Sequence, residues 1–171
     1  MTQFLGIPYQ FHCLLLSAGI AYGCDSGWVA RPGSNSCYKF VTTQKVTWSQ
    51  AQGLCRDMKS RLATLDSKEE MIWMRGYRSF HPSLRDYAWI GGAEVNGKWV
   101  WKGDVVDSPI LTTDWGAGEP NNKIGETGEP QDCLALFGDS THDIGQAIDQ
   151  WFRWDDGRCS YAANFICEKE G

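Results

Sequence analysis

Apolar positions recur at helical spacing in two early segments, and each segment is preceded by a capping signal. Residues 47–50 read Thr-Trp-Ser-Gln, a capping box in which side chains satisfy the first backbone N–H groups of a helix. Residues 67–70 read Ser-Lys-Glu-Glu and carry the same signal. The apolar residues that follow at helical spacing are Trp48, Ala51, Leu54, Cys55 and Met58 in the first segment and Met71, Ile72, Met74 and Tyr77 in the second. The pattern predicts two amphipathic helices.

Beyond residue 80 the pattern changes to short runs that are typical of β-strands. These runs lie at residues 87–90, 98–102, 133–137, 150–154 and 164–168. Asn96 and Gly97 stand just before the second run and are a strong signal for a two-residue hairpin turn. The sequence therefore predicts an α+β fold, with helices early in the chain and an antiparallel sheet late.

Two polar segments interrupt the strand pattern. Residues 111–131 are rich in glycine and proline, hold few apolar side chains, and are too long for a plain connection. Loops of this length without secondary structure tend to be functional or disordered. Residues 138–149 form the second polar segment.

The first 23 residues predict secretion. They contain no charged side chain, and an apolar stretch at residues 11–16 is followed by small residues, which resembles a secretory signal peptide. The apolar stretch is too short to cross the ~30 Å hydrocarbon core of a bilayer, so we expect no membrane insertion. Cleavage after Ala21 or Gly23 removes Cys13 and leaves an even number of cysteines. In a secreted chain, six cysteines predict three disulfides, for which 15 pairings are possible.

Composition and charge narrow the class of protein. With 42% hydrophobic and 22% charged residues the chain is globular, and its length fits a signal peptide at 1–23 followed by one domain at 24–171. A formal net charge of −5 argues against a nucleic-acid binder, which needs a basic surface. A neutral polar ligand or a bound cation remains compatible with this charge.

Three short motifs and the cysteines carry a family resemblance. Residues 119–121 read Glu-Pro-Asn within the first polar segment, residues 154–156 read Trp-Asp-Asp just before Cys159, and residues 89–92 read Trp-Ile-Gly-Gly. In this order the motifs resemble the C-type lectin family, and in particular its carbohydrate-recognition domain. The resemblance covers nearly the whole mature chain. It implies a C-type lectin-like fold in which two helices and antiparallel sheets support a long calcium- and sugar-binding loop.

The resemblance also implies specific pairs and ligands. The disulfides would be Cys24–Cys37, Cys55–Cys167 and Cys133–Cys159. The implied cofactor is Ca²⁺, which prefers six to eight oxygen ligands. Its side-chain ligands would be Glu119, Asn121, Gln131, Asp155 and Asp156, and the first four would also contact the sugar.

Two of these residues depart from the family pattern. The mannose-type pattern has Glu where this chain has Gln131 and Asn where it has Asp155. The total charge of the ligand set is unchanged, but the hydrogen-bond donor and acceptor have exchanged places, because Gln donates through its amide and Asp only accepts. We therefore hypothesise that the site selects galactose-like vicinal hydroxyls in an inverted orientation, with mannose-type sugars as the alternative. Glu126 or Glu129 is a further candidate to replace Gln131 as a ligand.

Aromatic residues divide into core and ligand candidates. Trp48, Trp89, Trp101 and Trp115 are expected in the core. Trp151 and Phe152 are candidates to stack on the apolar face of a sugar.

The leading functional prediction is a secreted, calcium-dependent lectin that binds glycans, with innate immune recognition as its implied context. Weak single sites need avidity, so a homo-oligomer formed through domain surfaces is possible. The alternative is a sugar-independent module that binds proteins or minerals on the same scaffold. We expect no enzymatic activity: triad residue types occur at residues 139–143, but side chains this close in one strip rarely form a catalytic triad.

Overall fold

The computed structural model describes residues 23–124, 128–138 and 152–171. Several predictions concern residues outside these ranges: the signal peptide apart from Gly23, the second polar segment apart from Gly138, and the candidates Glu126 and Trp151. None of the helices in the three ranges is long and apolar enough to cross a bilayer.

Both predicted helices are present. Helix α1 spans Trp48–Asp57, and its capping box is complete: the Thr47 hydroxyl accepts from the N–H of Gln50, and the Gln50 side chain accepts from the N–H of Thr47. Helix α2 spans Lys68–Phe80 and is capped by Ser67. A 3-10 turn, Pro82–Leu84, follows α2.

The second capping box is only half formed. The Ser67 hydroxyl accepts from the N–H of Glu70 at 3.2 Å, as predicted. The Glu70 carboxylate does not return to Ser67, because it binds the Tyr38 hydroxyl and the N–H of Asp66 instead. Ile72 also differs from the prediction, since it is 60% exposed while Met71 and Met74 face the core.

Nine strands lie in the described residues. They are β1 (Val29–Ala30), β2 (Ser36–Val46), β3 (Arg61–Leu62), β4 (Ala88–Val95), β5 (Lys98–Trp101), β6 (Ser108–Pro109), β7 (Cys133–Leu136), β8 (Trp154–Gly157) and β9 (Ala163–Glu170). The predicted hairpin joins β4 to β5, with Asn96 and Gly97 both in the left-handed region that this two-residue turn requires.

Strand β9 organises the sheet. Antiparallel β2 covers one side of β9, while β3 and β4 pair with its other side. Strand β4 then continues to β5 and β6, and it also pairs with β7, which carries β8.

The α+β fold is confirmed, and the predicted late antiparallel sheet differs from the structure in two respects. The longest strand, β2, precedes both helices and pairs with the last strand. Strands β4 and β9 are parallel, with Trp89 opposite Phe165. The fold remains α+β, but its sheet is mixed because it joins distant parts of the chain.

One predicted strand is shifted. The run at residues 150–154 overlaps the observed strand β8 only at Trp154. Phe152 has a φ of +62°, which is incompatible with an extended strand, so pairing begins two residues later.

The sheet separates two hydrophobic clusters. Tyr38, Met71 and Met74 pack in the cluster on the α2 side, together with Trp101 and Trp154. The cluster on the α1 side contains Trp48, Cys55, Trp89 and Phe165. The tryptophans expected in the core lie there: Trp48, Trp89 and Trp101 are buried, and Trp115 packs against the first cluster while partly exposed.

The described residues contain three disulfides, with the pairing that the resemblance implies. Cys24–Cys37 attaches the N-terminal segment to β2, and Cys55–Cys167 joins α1 to β9. Cys133–Cys159 ties the start of β7 to the segment that follows β8. The last bridge lies beside the residues that were predicted to form the functional site.

Candidate functional site

The long loop supplies one side of the site. Between Leu111 and Gln131 the described residues contain no helix and only one isolated β-bridge, at Trp115, in agreement with the prediction. The Glu119–Pro120 peptide bond is cis. Oε2 of Glu119 is buried and has no hydrogen-bond partner among the described residues.

Strand β8 supplies the opposite side. Asp156 is fully buried, and its two carboxylate oxygens accept hydrogen bonds from the backbone N–H groups of Asn121, at 2.9 Å, and Asn122, at 2.6 Å. Its neighbour Asp155 is partly buried. Carboxylate oxygens of Glu119, Asp155 and Asp156 all lie within 4.8 Å of one another. Two stretches of chain more than thirty residues apart thus meet at one acidic cluster.

Beside this cluster, the side chains of Asn121 and Gln131 share one hydrogen-bond donor. Oδ1 of Asn121 and Oε1 of Gln131 both accept from the backbone N–H of Lys123, at 2.8 and 2.6 Å. The N–H of Gln131 in turn donates to Oδ1 of Asn122 at 2.9 Å. The structure therefore brings all five predicted site residues together.

Three ionised carboxylates so close together repel one another, and their charges are costly to bury. Burial and the neighbouring Asp156 carboxylate raise the pKa of Glu119 to about 7, although hydrogen bonds from Asn121 oppose this shift. Burial and the charge of Glu119 raise the pKa of Asp155 to about 7, although the Tyr87 hydroxyl opposes it. A bound cation would attract both carboxylates and so counteract the two effects that raise these pKa values, namely burial and mutual repulsion.

The donor set fits a hard divalent cation. It offers carboxylate and amide oxygens, which calcium prefers, and the described part of the site presents no thiolate or imidazole ligand that would favour a softer metal. The buried, unpartnered Oε2 of Glu119 is the kind of atom that a metal would satisfy.

Two residues that support the site were missed by the sequence analysis. The hydroxyl of Tyr87 makes a hydrogen bond with Asp155, and burial raises the pKa of this tyrosine well above its usual value. Asn122, in the left-handed region at φ +41°, positions its N–H and its side chain between Asp156 and Gln131. An Asn in a glycine-rich loop was a usable signal, since Asn tolerates this conformation, whereas Tyr87 looked like an ordinary strand residue.

The alternative ligand and one stacking candidate are engaged elsewhere. Glu129 accepts from the N–H of Ser160 at 3.2 Å and from its hydroxyl at 2.5 Å, which attaches the loop to the segment after β8. Phe152 is only 2% exposed, and the Arg78 guanidinium lies 4.6 Å from its ring centroid. The prediction of Phe152 as a sugar platform was therefore wrong, because the side chain is part of the protein interior.

An ion triad supports the base of the loop. Asp114 lies between Arg75 of α2, at 3.1 Å, and Arg153, at 2.6 Å. The Asp114 carbonyl also accepts from the N–H of Trp154 at 2.9 Å. The beginning of the loop is thus fixed to the residue that precedes Asp155 and Asp156.

Comparison with known proteins identifies the family. Residues 44–169 match the family described as the Lectin C-type domain. Perlucin of Haliotis laevigata is 33% identical over 150 residues, which cover 86% of this chain and 84% of perlucin. The mouse scavenger receptor C-type lectin carbohydrate-recognition domain has a TM-score of 0.67 and 30% identity, over 86% of this chain and 98% of that one.

The fold is also found in a protein with a different property. A calcium-independent type II antifreeze protein has a TM-score of 0.64 at 23% identity, over 86% of this chain and 95% of that one. This likeness shows the shared fold alone. The extent of the family match and the identity to perlucin show that the chain belongs to the C-type lectin domain family.

Proposed function

We propose that the protein is a secreted lectin that binds carbohydrate in a calcium-dependent manner. Glu119, Asn121, Gln131, Asp155 and Asp156 would hold the ion. Bound calcium supplies open coordination positions for two neighbouring hydroxyls of a sugar. The first four of these side chains would also form hydrogen bonds with the same hydroxyls.

One observation carries this proposal. Three carboxylates lie within 4.8 Å of one another, and one of their oxygens, Oε2 of Glu119, is buried without a partner. Such an arrangement is unfavourable without a cation and favourable with one. The carbohydrate-recognition domain of the mouse scavenger receptor lectin, at 30% identity, supports carbohydrate as the ligand class.

The hydrogen-bond polarity of the site bears on which sugar it prefers. Gln131 offers amide donors, while Asp155 offers acceptors and has the Tyr87 hydroxyl as one partner. This order is the reverse of the mannose-type pattern at the same pair. We therefore propose galactose-like vicinal hydroxyls as the preferred ligand, with mannose-type sugars as the competing assignment.

The remaining parts of the proposal concern the compartment, the biological role and the association of the protein. The three disulfides fit an oxidising, extracellular compartment. A non-enzymatic role in the recognition of glycans, including those met in innate immunity, agrees with the family. Because a single shallow site binds weakly, association of several domains through their surfaces would supply avidity.

Retention on sugar columns tests the proposal. The protein is applied to immobilised galactose and immobilised mannose in calcium and then eluted with EDTA, free galactose or free mannose. We expect retention in calcium, release by EDTA, and stronger competition by galactose. A preference for mannose contradicts the polarity argument alone. Failure to bind sugars, or retention that survives EDTA, contradicts the calcium-dependent lectin and favours the protein- or mineral-binding alternative.

A further inference from the structure

A cavity of about 370 Å³ opens beside the acidic cluster. Its walls include Asp86, Tyr87, Gln131, Asp155, Arg158 and Tyr161. Ligand pockets in proteins usually measure about 300–1,000 Å³, so this volume suits one small ring rather than a long ligand.

The cavity is continuous with the proposed metal site. Gln131 and Asp155 line the cavity and also belong to the five residues that would hold calcium. Tyr87 also lines the cavity, and its hydroxyl forms a hydrogen bond with Asp155. A group bound in the cavity would therefore be adjacent to a sugar bound at the metal.

An exposed aromatic ring stands at this cavity. Tyr161 is 55% exposed, and its ring packs edge-on against Tyr87 with a centroid distance of 6.0 Å. Its backbone carbonyl accepts from the indole N–H of Trp89 at 3.3 Å, which fixes the residue to the core. A tyrosine held in this way presents an apolar face and a polar tip, the combination that suits a sugar ring.

The small residue Gly157 keeps the cavity wall in this shape. A Cβ atom at this position would collide with the Tyr87 hydroxyl and would lie 2.8 Å from the Trp89 ring. The absence of a side chain at this position of β8 lets Tyr87 reach Asp155.

The charges around the cavity restrict the ligand. Asp86 is paired with Lys45 at 3.1 Å, so the charged groups left in the lining are the Asp155 carboxylate and the Arg158 guanidinium. A lining without net charge offers no surplus positive group to an acidic sugar and suits neutral, polyhydroxylated ones.

We infer that the cavity is a second saccharide subsite, which binds the neutral sugar residue next to the one held at the metal, with Tyr161 as its stacking platform. The inference rests on the proposed function, because the first sugar residue is placed by calcium. It means that the preferred ligand is a disaccharide or longer glycan rather than a monosaccharide.

Titration calorimetry of the calcium-loaded protein tests this inference. Methyl β-galactoside is compared with lactose, and methyl α-mannoside with α1,2-linked mannobiose. We expect the better disaccharide to bind at least about tenfold more tightly than its monosaccharide, and Tyr161→Ala to reduce that ratio to about twofold or less. Tyr161→Phe should keep the ratio. Phe80→Ala, at an aromatic residue that is 85% exposed on α2, is the matched control and should also keep it.

The outcomes separate this inference from the proposed function. Equal affinity for both sugars of each pair, or a Tyr161→Ala variant that weakens both equally, overturns the second subsite and leaves the lectin intact. A sialylated disaccharide that binds more tightly than the neutral one overturns the assignment to neutral sugars. If no sugar binds while calcium does, both the proposed function and the subsite are wrong. Calcium titration and thermal melting of each variant report whether the fold and the ion site are retained.

Discussion

The backbone N–H of Asn121 donates a hydrogen bond of 2.9 Å to Oδ1 of Asp156, so the long loop is attached directly to strand β8. The acceptor is fully buried, and its second oxygen receives the N–H of Asn122. One carboxylate therefore serves two purposes: it binds the loop backbone, and it brings a negative charge to the proposed ion site.

Replacing Asp156 by Asn tests this double role. Asp156→Asn removes the charge and places an N–H group against backbone donors, so we expect calcium affinity to fall at least about tenfold. The melting temperature should also fall, because a buried backbone donor loses its acceptor. Calorimetric titration with calcium measures the first effect. Asp104→Asn, at an exposed acid paired with Arg56, should leave calcium affinity unchanged, and an unchanged affinity in Asp156→Asn would refute the proposed ligand role.

The pKa values of Glu119 and Asp155 predict a stability that falls as pH rises in EDTA. Both pKa values are raised to about 7 in the folded chain, whereas unperturbed Glu and Asp titrate at 4.5 and 3.8. Between these limits the folded state binds more protons than the unfolded state, so rising pH destabilises the fold. Melting temperatures at pH 5, 6, 7 and 8 measure the trend, which should be smaller in Glu119→Gln.

Calcium affinity should follow the opposite trend. Because calcium binds ionised carboxylates, protons must leave Glu119 and Asp155 below about pH 7, and affinity should rise between pH 6 and pH 8. Calcium titrations at these two pH values measure the effect. A pH-independent affinity would mean that the ion does not bind to these two side chains.

The polarity of the Gln131/Asp155 pair is tested by exchanging it. The double variant Gln131→Glu/Asp155→Asn keeps the total charge and reverses donor and acceptor. We expect the ratio of galactose to mannose affinity to fall at least about tenfold, since each hydrogen bond to a charged group contributes about 1.5–3 kcal/mol. Competition by the two free sugars gives the ratio. A ratio equal to that of the unmodified protein would assign specificity to other residues.

The disulfides should differ in their contribution to stability. Cys55 and Cys167 are separated by 112 residues, and Cys133 and Cys159 by 26. The chain-entropy relation gives about 4.8 kcal/mol for the longer loop and about 3.5 kcal/mol for the shorter one. Replacing both cysteines of a pair by alanine and measuring urea unfolding should show this order. Calcium affinity should respond more to loss of Cys133–Cys159, because that bridge adjoins β8.

The helices were predictable because their signals are local. The capping residues and apolar spacing of α1 lie within about ten consecutive positions, and the complete Thr47–Gln50 box agrees with them. The hairpin at Asn96 and Gly97 is local in the same sense. The positions of the site residues came from the family resemblance rather than from such patterns.

Strand β2 was missed because its first part, up to Val41, packs on both faces, whereas residues 42–45 are exposed on both. Tyr38 and Phe40 pack on the α2 side, whereas Val41 and Val46 pack on the α1 side. The strand therefore lacks the simple alternation of apolar and polar residues that marks a half-buried strand.

Two other differences arise from contacts between distant residues. The parallel pairing of β4 with β9 joins segments whose partners cannot be read from either one alone. Likewise, Glu70 of the predicted second capping box turns to Tyr38, which lies 32 residues earlier. Contacts with distant residues therefore determine the β4–β9 pairing and the position of the Glu70 side chain, whereas local sequence propensity does not.

The pairing of β2 with β9 has a practical consequence. Ser36 lies opposite Glu170, and the N–H of Gly171 donates to the carbonyl of Asn35 at 2.8 Å. The last residues of β9 thus lie beside the start of β2, at the ~5 Å spacing of paired strands, and the Cys24–Cys37 bridge holds the N-terminal segment to β2. A host protein could receive residues 24–171 in a surface turn, because Cys24 is bridged to Cys37 and Cys37 lies opposite Lys169.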